Sequence, residues 1–209
     1  MMYLNEFGMK ESARGGEAKC DMDRDRRRSI RLKGYDYSQV GAYFITICTR
    51  DRACFLGNVV DGQMYPNGVG QIAGQCWEEI PNHFPYARLD VFTVMPNHLH
   101  GIVVIAGRDV GARHAVPLPE RFGKPISGSI PTIIRSFKSA ATQRIHKREN
   151  TLGMSIWQRN YYEHVIRNEE SLNRIRQYIL DNPAQWTLDR ENPVRTRYNA
   201  PQGEEPWRI

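Results

Sequence analysis

The 209-residue sequence has no long hydrophobic run; its longest uninterrupted apolar stretch is Ile102–Ala106. A membrane span needs about 18 apolar residues or more, so none is expected. The start of the chain, Met1–Cys20, is mixed and charged and lacks the apolar segment of an export signal. Cysteine is scarce: Cys20, Cys48, Cys54 and Cys76 form no C-x-x-C pair. The expectation is a cytoplasmic protein with reduced thiols, the cysteines being small buried or half-buried residues rather than ligands. Internal repeats and low-complexity tracts are also absent. With 40% hydrophobic and 25% charged residues, the composition excludes a wholly disordered or collagen-like chain. The length suits one decorated domain or two very small ones.

Charge is present in excess of one sign and is unevenly placed. The chain carries 29 Lys and Arg against 23 Asp and Glu, a net of +6. Residues 107–150 hold 9 basic and 3 acidic side chains, a local net of +6, whereas residues 34–106 are net −3. Localised positive charge points to a polyanionic partner, nucleic acid first, against the plainer reading of solvated helix faces and basic loops.

The element pattern is mixed. Residues 1–33 read as a basic, flexible arm containing Arg26, Arg27 and Arg28. Ala42–Thr49 is rich in β-branched and aromatic residues and reads as a strand. Val59–Met64 carries an Asp-Gly turn between apolar ends, a short hairpin signal. Val69, Ile72, Cys76 and Ile80 form a helical stripe. Leu89–Met95 and His98–Ile105 are strand-like runs joined by Pro96-Asn97, an antiparallel hairpin. Residues 106–130 are rich in Gly and Pro and read as a loop insertion. Ile133, Ile134, Phe137, Ala141 and Ile145 mark a helix after Pro131. Asn168 with Glu169 and Glu170 is an N-terminal cap for a helix whose stripe is Leu172, Ile175 and Ile179, stopped by Pro183. The tail from Thr187 is irregular. Hairpins interleaved with helices give an α+β fold with an antiparallel sheet.

Two small constellations carry chemistry. Residues i and i+2 of a strand share a face, so His98 and His100 project together with Leu99 behind them. Two imidazoles are half of a metal site, or two satisfied histidines on a sheet face. Histidine-triad hydrolases also carry a strand-borne pair, but with a third His two residues on, where this chain has Ile102. Downstream, Tyr178 and Asn182 are four apart and share a helix face near its end. Taken alone, Tyr178 is equally a core tyrosine and Asn182 equally a helix terminator before Pro183.

The ordered set is more specific than its parts. Met95-Pro-Asn-His-Leu-His-Gly-Ile-Val-Val104, Ile134-Arg-Ser-Phe-Lys-Ser139, Trp157-Gln158, Tyr162-Glu-His-Val-Ile-Arg167 and Tyr178-Ile-Leu-Asp-Asn-Pro183 follow one another. Over about residues 35–186 the sequence closely resembles the REP-associated tyrosine transposases. These are single-tyrosine HUH nucleases, related to the small transposases of short insertion sequences. The resemblance implies a ferredoxin-like core over residues 34–186, with the His pair mid-sheet and a tyrosine-bearing helix packed across it. Residues 187–209 would form an irregular tail.

It also implies His98, His100 and Asn182 as ligands of Mg²⁺ or Mn²⁺ and Tyr178 as nucleophile on single-stranded or hairpin DNA. Asn stands where other small HUH transposases place Gln, and is likewise a neutral oxygen donor. A free phenol, with a pKa of about 10, is scarcely ionised at neutral pH, so a cation on the scissile phosphate suits the chemistry. Tyr161 and Tyr162 lack an Asn four residues on and are not the expected nucleophile. Trp157 reads as a core anchor. Weaker DNA-contact candidates are Arg26, Arg27, Arg28, Arg135, Lys138 and His164. The rival readings are a DNA-hairpin-binding protein without catalysis and an unrelated metallohydrolase using the His pair. The sequence leaves monomer or homodimer open.

Overall fold

The computed structural model describes residues 35–107, 126–151 and 153–193. The expectations for Arg26, Arg27, Arg28 and most of 106–130 fall outside these residues. Strand β1 (Gly41–Cys48) is followed by a hairpin of β2 (Gly57–Val60) and β3 (Gln63–Pro66), then helices α1 (Gly68–Glu78) and α2 (Ile80–His83). Strands β4 (Ala87–Val94) and β5 (His98–Ile105) come next, then α3 (Ile130–Glu149), β6 (Tyr162–Ile166) and α4 (Glu169–Asp181). The main sheet has the order β4-β5-β1-β6, antiparallel throughout, and β2-β3 form a separate ribbon. Without that ribbon and the short α2, the chain reads β-α-β-β-α-β, the ferredoxin-like topology, followed by α4 on the opposite face.

The strand sequences explain the layers. β1 is central, and Tyr43, Phe44, Ile45 and Ile47 are all fully buried, so it needs apolar side chains on both faces. Tyr43, Ile45, Ile47, Leu99, Val103 and Ile105 face α1 and α3, which contribute Ala73, Trp77, Ile133, Ile134 and Phe137. Phe44 and Ile102 face the other way, into a smaller cluster with Ile166 and the Ile175 and Ile179 stripe of α4. The strand period of two thus gives the α1/α3 layer one half of β5 and the α4 layer the other. His98 and His100, in phase with Ile102, lie on the α4 face.

Helix α4 starts where its sequence says it should: the Asn168 side chain accepts from the Ser171 amide at 2.8 Å. It is docked onto the edge strand β4 by Arg176, which forms a two-pronged pair with Asp90. Asp90 sits where the β4–β5 register shifts, between Leu89 and Phe92. A bulge there re-aims side chains, and this one presents an acid to the tyrosine-bearing helix. The Arg176 guanidinium in turn holds the Asp90 carboxyl below the usual carboxylate range.

Directly behind the His pair, Gly101 lets the Trp77 indole lie on the β5 backbone. A Cβ at Gly101 would fall 2.4 Å from Trp77 Cζ2. Trp77 is fully buried and packs edge-on against Phe137 at 5.4 Å, so it has no room to retreat. Gly101→Ala is therefore expected to destabilise the fold by about 1–3 kcal/mol, as overpacking does. Urea unfolding at neutral pH would show this as a lowered midpoint with an unchanged slope.

One sequence reading needs correcting here. Cys54 is exposed rather than buried or half-buried, while Cys48 is partly and Cys76 fully buried; these three are free thiols. Within the Tyr162–Arg167 motif, Tyr162–Ile166 forms the edge strand β6.

Candidate active site

The site is assembled from three stretches: β5, the end of α4, and the turn that follows it. The His98 and His100 rings lie 4.4 Å apart on the α4 face of the sheet. Their exposures are 0% and 2%. Across the sheet, His100 pairs in register with Thr46 of β1, and Thr46 Oγ1 is 2.8 Å from His100 Nδ1. His98 Nδ1 is 2.8 Å from Asn97 Oδ1. Each ring is therefore gripped by its Nδ1, leaving Nε2 to face the space under α4. Such grips orient and polarise imidazole ligands.

Tyr178 comes down from α4 onto this pair. Its Oη lies 3.3 Å from His100 Nε2, and its ring meets Phe44 edge-on at 6.0 Å. Phe44 also stacks on the His100 ring at 5.4 Å. The tyrosine is half-buried and belongs to the same chain as the histidines it meets. One turn on, Asn182 is buried, and its Nδ2 donates to Asp189 Oδ2 at 2.9 Å. A carboxylate oxygen accepts, so the amide is oriented and Asn182 Oδ1 is turned the other way.

Asp189 was not foreseen. It caps a single 3-10 turn, Trp186–Leu188, just beyond residue 186, where sequence reasoning had stopped the domain. His98, His100 and Asp189 offer ligand atoms all within 4.8 Å of one another, and all three are buried. Asp189 Oδ2 is 3.8 Å from His98 Nε2. The Trp186 ring, 6.0 Å from that of His98, walls the same side. The sequence held little signal for Asp189, an acid in an irregular tail with no periodicity.

The donor set fits a divalent cation. His98 Nε2 and Asn182 Oδ1 are both buried and neither is satisfied by a well-formed hydrogen bond, although the Asn182 amide lies close enough to His98 to act on it. Two unsatisfied acceptors beside a carboxylate are costly unless something positive sits among them. Two imidazoles with carbonyl and carboxylate oxygens suit Mn²⁺ or Mg²⁺ better than a thiolate-rich structural zinc site. The thiol nearest this region, Cys48, bonds Glu191 and is pushed up to about 12 by burial and that carboxylate, so it is no ligand.

Burial holds His98 below the ordinary imidazole range, with Asp189, Glu191 and the Asn182 amide pulling it partly back. Burial, then the neighbouring His98, holds His100 well below it. Both rings are thus neutral, the form that binds metal. The unfolded chain takes up protons near pH 6.5, where the folded one does not. Stability of the metal-free protein is therefore full above that pH and falls as the pH drops from 7 to 5. The limiting slope is about 1.4 kcal/mol per pH unit for each histidine. Urea midpoints at pH 7, 6 and 5 check this; a flat profile would contradict neutral buried rings.

Two of the weaker candidates, Arg135 and Lys138, are placed elsewhere. Arg135 is exposed on α3, in the layer behind the sheet rather than on the His face. Lys138, on the same helix, donates to the carbonyls of Gln158 and Asn160 at 2.8 and 3.0 Å and lies over the Tyr161 ring. That is a structural anchor for the connection into β6. His164 is half-buried on β6, opposite Phe44 and therefore on the His face. Burial and Arg167 hold it below the ordinary imidazole range. Trp157 is a core residue against Phe137, as its sequence context suggested.

A His-x-His pair mid-sheet, faced by a helix-borne tyrosine with an asparagine four residues on, is the arrangement that the resemblance to the single-tyrosine HUH nucleases implies. No family model matches the sequence. An uncharacterized protein of Haemophilus influenzae is 44% identical over 169 residues, covering 78% of this chain and 91% of that one. A second protein of that organism, provisionally named a REP-associated tyrosine transposase, is 24% identical over 149 residues, covering 71% and 73%. Among solved structures, a REP-associated tyrosine transposase bound to a REP hairpin is 21% identical with a TM-score of 0.48, over 76% of this chain and 72% of that one. A Deinococcus radiodurans structure, provisionally named a transposase, is 18% identical with a TM-score of 0.43, over 72% and 97%. The chain shares a family with the uncharacterized Haemophilus influenzae protein, and it is similar, more distantly, to the REP-associated tyrosine transposase of that organism. Among the described residues no helix is long and apolar enough to cross a membrane.

Proposed function

We propose that this protein is a divalent-metal-dependent endonuclease and strand transferase acting on single-stranded DNA at hairpin-forming palindromic repeats. The observation that carries the reading is the approach of Tyr178 Oη to His100 Nε2, 3.3 Å, beside two unsatisfied buried acceptors. His98, His100 and Asn182 would hold the metal, with Asp189 as an added carboxylate ligand or orienting group. A cation bound there supplies Lewis-acid polarisation of the scissile phosphate and offsets the charge that develops on it.

The chain's own residues do the rest. Tyr178 Oη attacks phosphorus in line, giving up its proton to solvent, to which the half-buried phenol has access. The bond from phosphorus to the 3′ oxygen breaks, and that oxygen departs with a proton as a 3′ hydroxyl. The product is a 5′-phosphotyrosine, which exchanges one phosphodiester for another. A second 3′ hydroxyl can therefore reverse the step on a new strand without ATP. Phe44 limits the swing of the phenol by packing against both its ring and that of His100.

Hairpin DNA as the partner is supported by the resemblance to REP-associated tyrosine transposases and by the basic charge of the chain. Duplex stem would be held through its phosphates and the single-stranded flank through its bases. The test is incubation with labelled hairpins taken from repeats flanking the gene, with Mn²⁺, Mg²⁺ or chelator. Metal-dependent cleavage with label retained on the protein is expected. A retained hairpin complex without cleavage in either metal would instead favour a binding protein without chemistry.

A further inference from the structure

The asparagine of the Pro96-Asn97 turn does more than turn the chain. Asn97 is fully buried, although it joins two strands. Its Nδ2 lies 3.0 Å from the Arg52 carbonyl oxygen and 2.6 Å from that of Glu191. Carbonyl oxygens only accept, so the amide nitrogen must face them, and Oδ1 must face His98. Oδ1 also only accepts, so the proton of a neutral His98 sits on Nδ1. The Nε2 lone pair is thereby directed towards Asp189 and Asn182.

The same side chain reaches the far side of the site. Glu191, whose carbonyl Asn97 holds, donates its own amide to Asp189 Oδ1 at 2.6 Å. Asp189 Oδ2 receives the Asn182 amide at 2.9 Å. An unbroken run of hydrogen bonds thus passes from His98 through Asn97, the Glu191 backbone and Asp189 to Asn182. Its two ends are the two buried acceptors without a well-formed hydrogen bond, His98 Nε2 and Asn182 Oδ1. Thr49 steadies the run from outside, donating its amide and its hydroxyl to the Asn97 carbonyl at 2.9 and 3.0 Å.

We propose that Asn97 is the positioning residue of this site: it fixes the His98 tautomer and, through the 189–191 turn, aims the Asn182 carbonyl at the same point. The inference rests on the metal-binding reading only for what occupies that point. Hydrogen-bond logic alone sets the tautomer. Replacing Asn97 by leucine keeps size and removes both grips. Replacing it by aspartate keeps the acceptor for His98 and loses the donors to Arg52 and Glu191.

The experiment is histidine ¹⁵N NMR on the full chain under chelation, with Mn²⁺ titration as the second readout. Wild type is expected to show His98 as the Nδ1–H tautomer. Asn97→Leu is expected to show mixed tautomers and Mn²⁺ affinity lowered about 10–100-fold, the scale of such orienting partners. Asn97→Asp should restore the tautomer. Should Asn97→Leu fail to fold, the wild-type and Asn97→Asp spectra still decide. An Nε2–H tautomer in wild type, or a folded Asn97→Leu with wild-type tautomer and affinity, overturns the proposal. A wild-type chain with the stated tautomer that binds no Mn²⁺ supports the role of Asn97 and overturns the metal reading instead.

Discussion

Tyr178→Phe is expected to lower DNA cleavage and joining by at least about a thousandfold, the scale on which removal of a nucleophile acts in other covalent enzymes. The fold and hairpin binding should survive. Phenylalanine keeps the ring that packs against Phe44 at 6.0 Å and loses only the Oη that lies 3.3 Å from His100. A half-buried side chain that loses one hydroxyl costs little stability. The comparison that isolates chemistry is single-turnover cleavage of one labelled hairpin by the two proteins, with affinity measured in chelator. Tyr161→Phe and Tyr162→Phe are the controls. Tyr162 lies on the His face, opposite Thr46, and its ring meets Phe44 at 6.2 Å. If it were the nucleophile, its variant and not that of Tyr178 would be inactive.

The second large effect is expected at the histidines. His98→Ala and His100→Ala each remove a buried donor from the proposed metal set, and each should weaken Mn²⁺ binding by more than the 10–100-fold loss typical of an orienting partner. Cleavage should fall with it. The two variants differ in what they leave behind. His100→Ala strips a partner from Thr46 Oγ1 and from Tyr178 Oη, and takes away the ring on which Phe44 stacks. His98→Ala leaves Asn97 Oδ1 unpaired in a fully buried place. An orphaned buried acceptor costs about 1–3 kcal/mol. Both should therefore melt earlier than wild type, and calorimetric Mn²⁺ titration below the melting range separates lost affinity from lost fold.

How much of this was legible beforehand differs by residue. The strands β1 and β5 were readable because both are central and buried on two faces, which demands dense β-branched and aromatic sequence. Helix α4 was readable because Asn168 caps it and a stripe at intervals of three and four marks its core face. The shared face of His98 and His100 follows from strand geometry, and that of Tyr178 and Asn182 from helix geometry. What joins the two pairs is tertiary. Nothing local says that the end of α4 lies over β5, and the roles of those residues came from family resemblance.

Three parts of the site were not legible. Thr46 is one polar residue in an apolar strand, and its contact with His100 depends on the β1–β5 register. Asn97 looks like an ordinary turn residue, because turns favour asparagine for local reasons unrelated to histidine. Asp189 lies on a turn set by its own hydrogen bonds, without the periodicity that makes helices and strands visible. Lys138 has a structural role that its sequence context did not suggest. Charge and helical spacing suggested a DNA contact, whereas the folded chain uses its ammonium to hold two backbone carbonyls.

The central claim is that Tyr178 becomes covalently joined to the 5′ end of a cleaved strand. Mass spectrometry of the trapped adduct tests it most directly. After reaction with a hairpin in Mn²⁺, nuclease trimming and trypsin, the peptide running from Gln177 to Arg190 should carry a nucleotide phosphate on Tyr178. The nucleotide on any other residue, or cleavage with that peptide unmodified, would contradict the account.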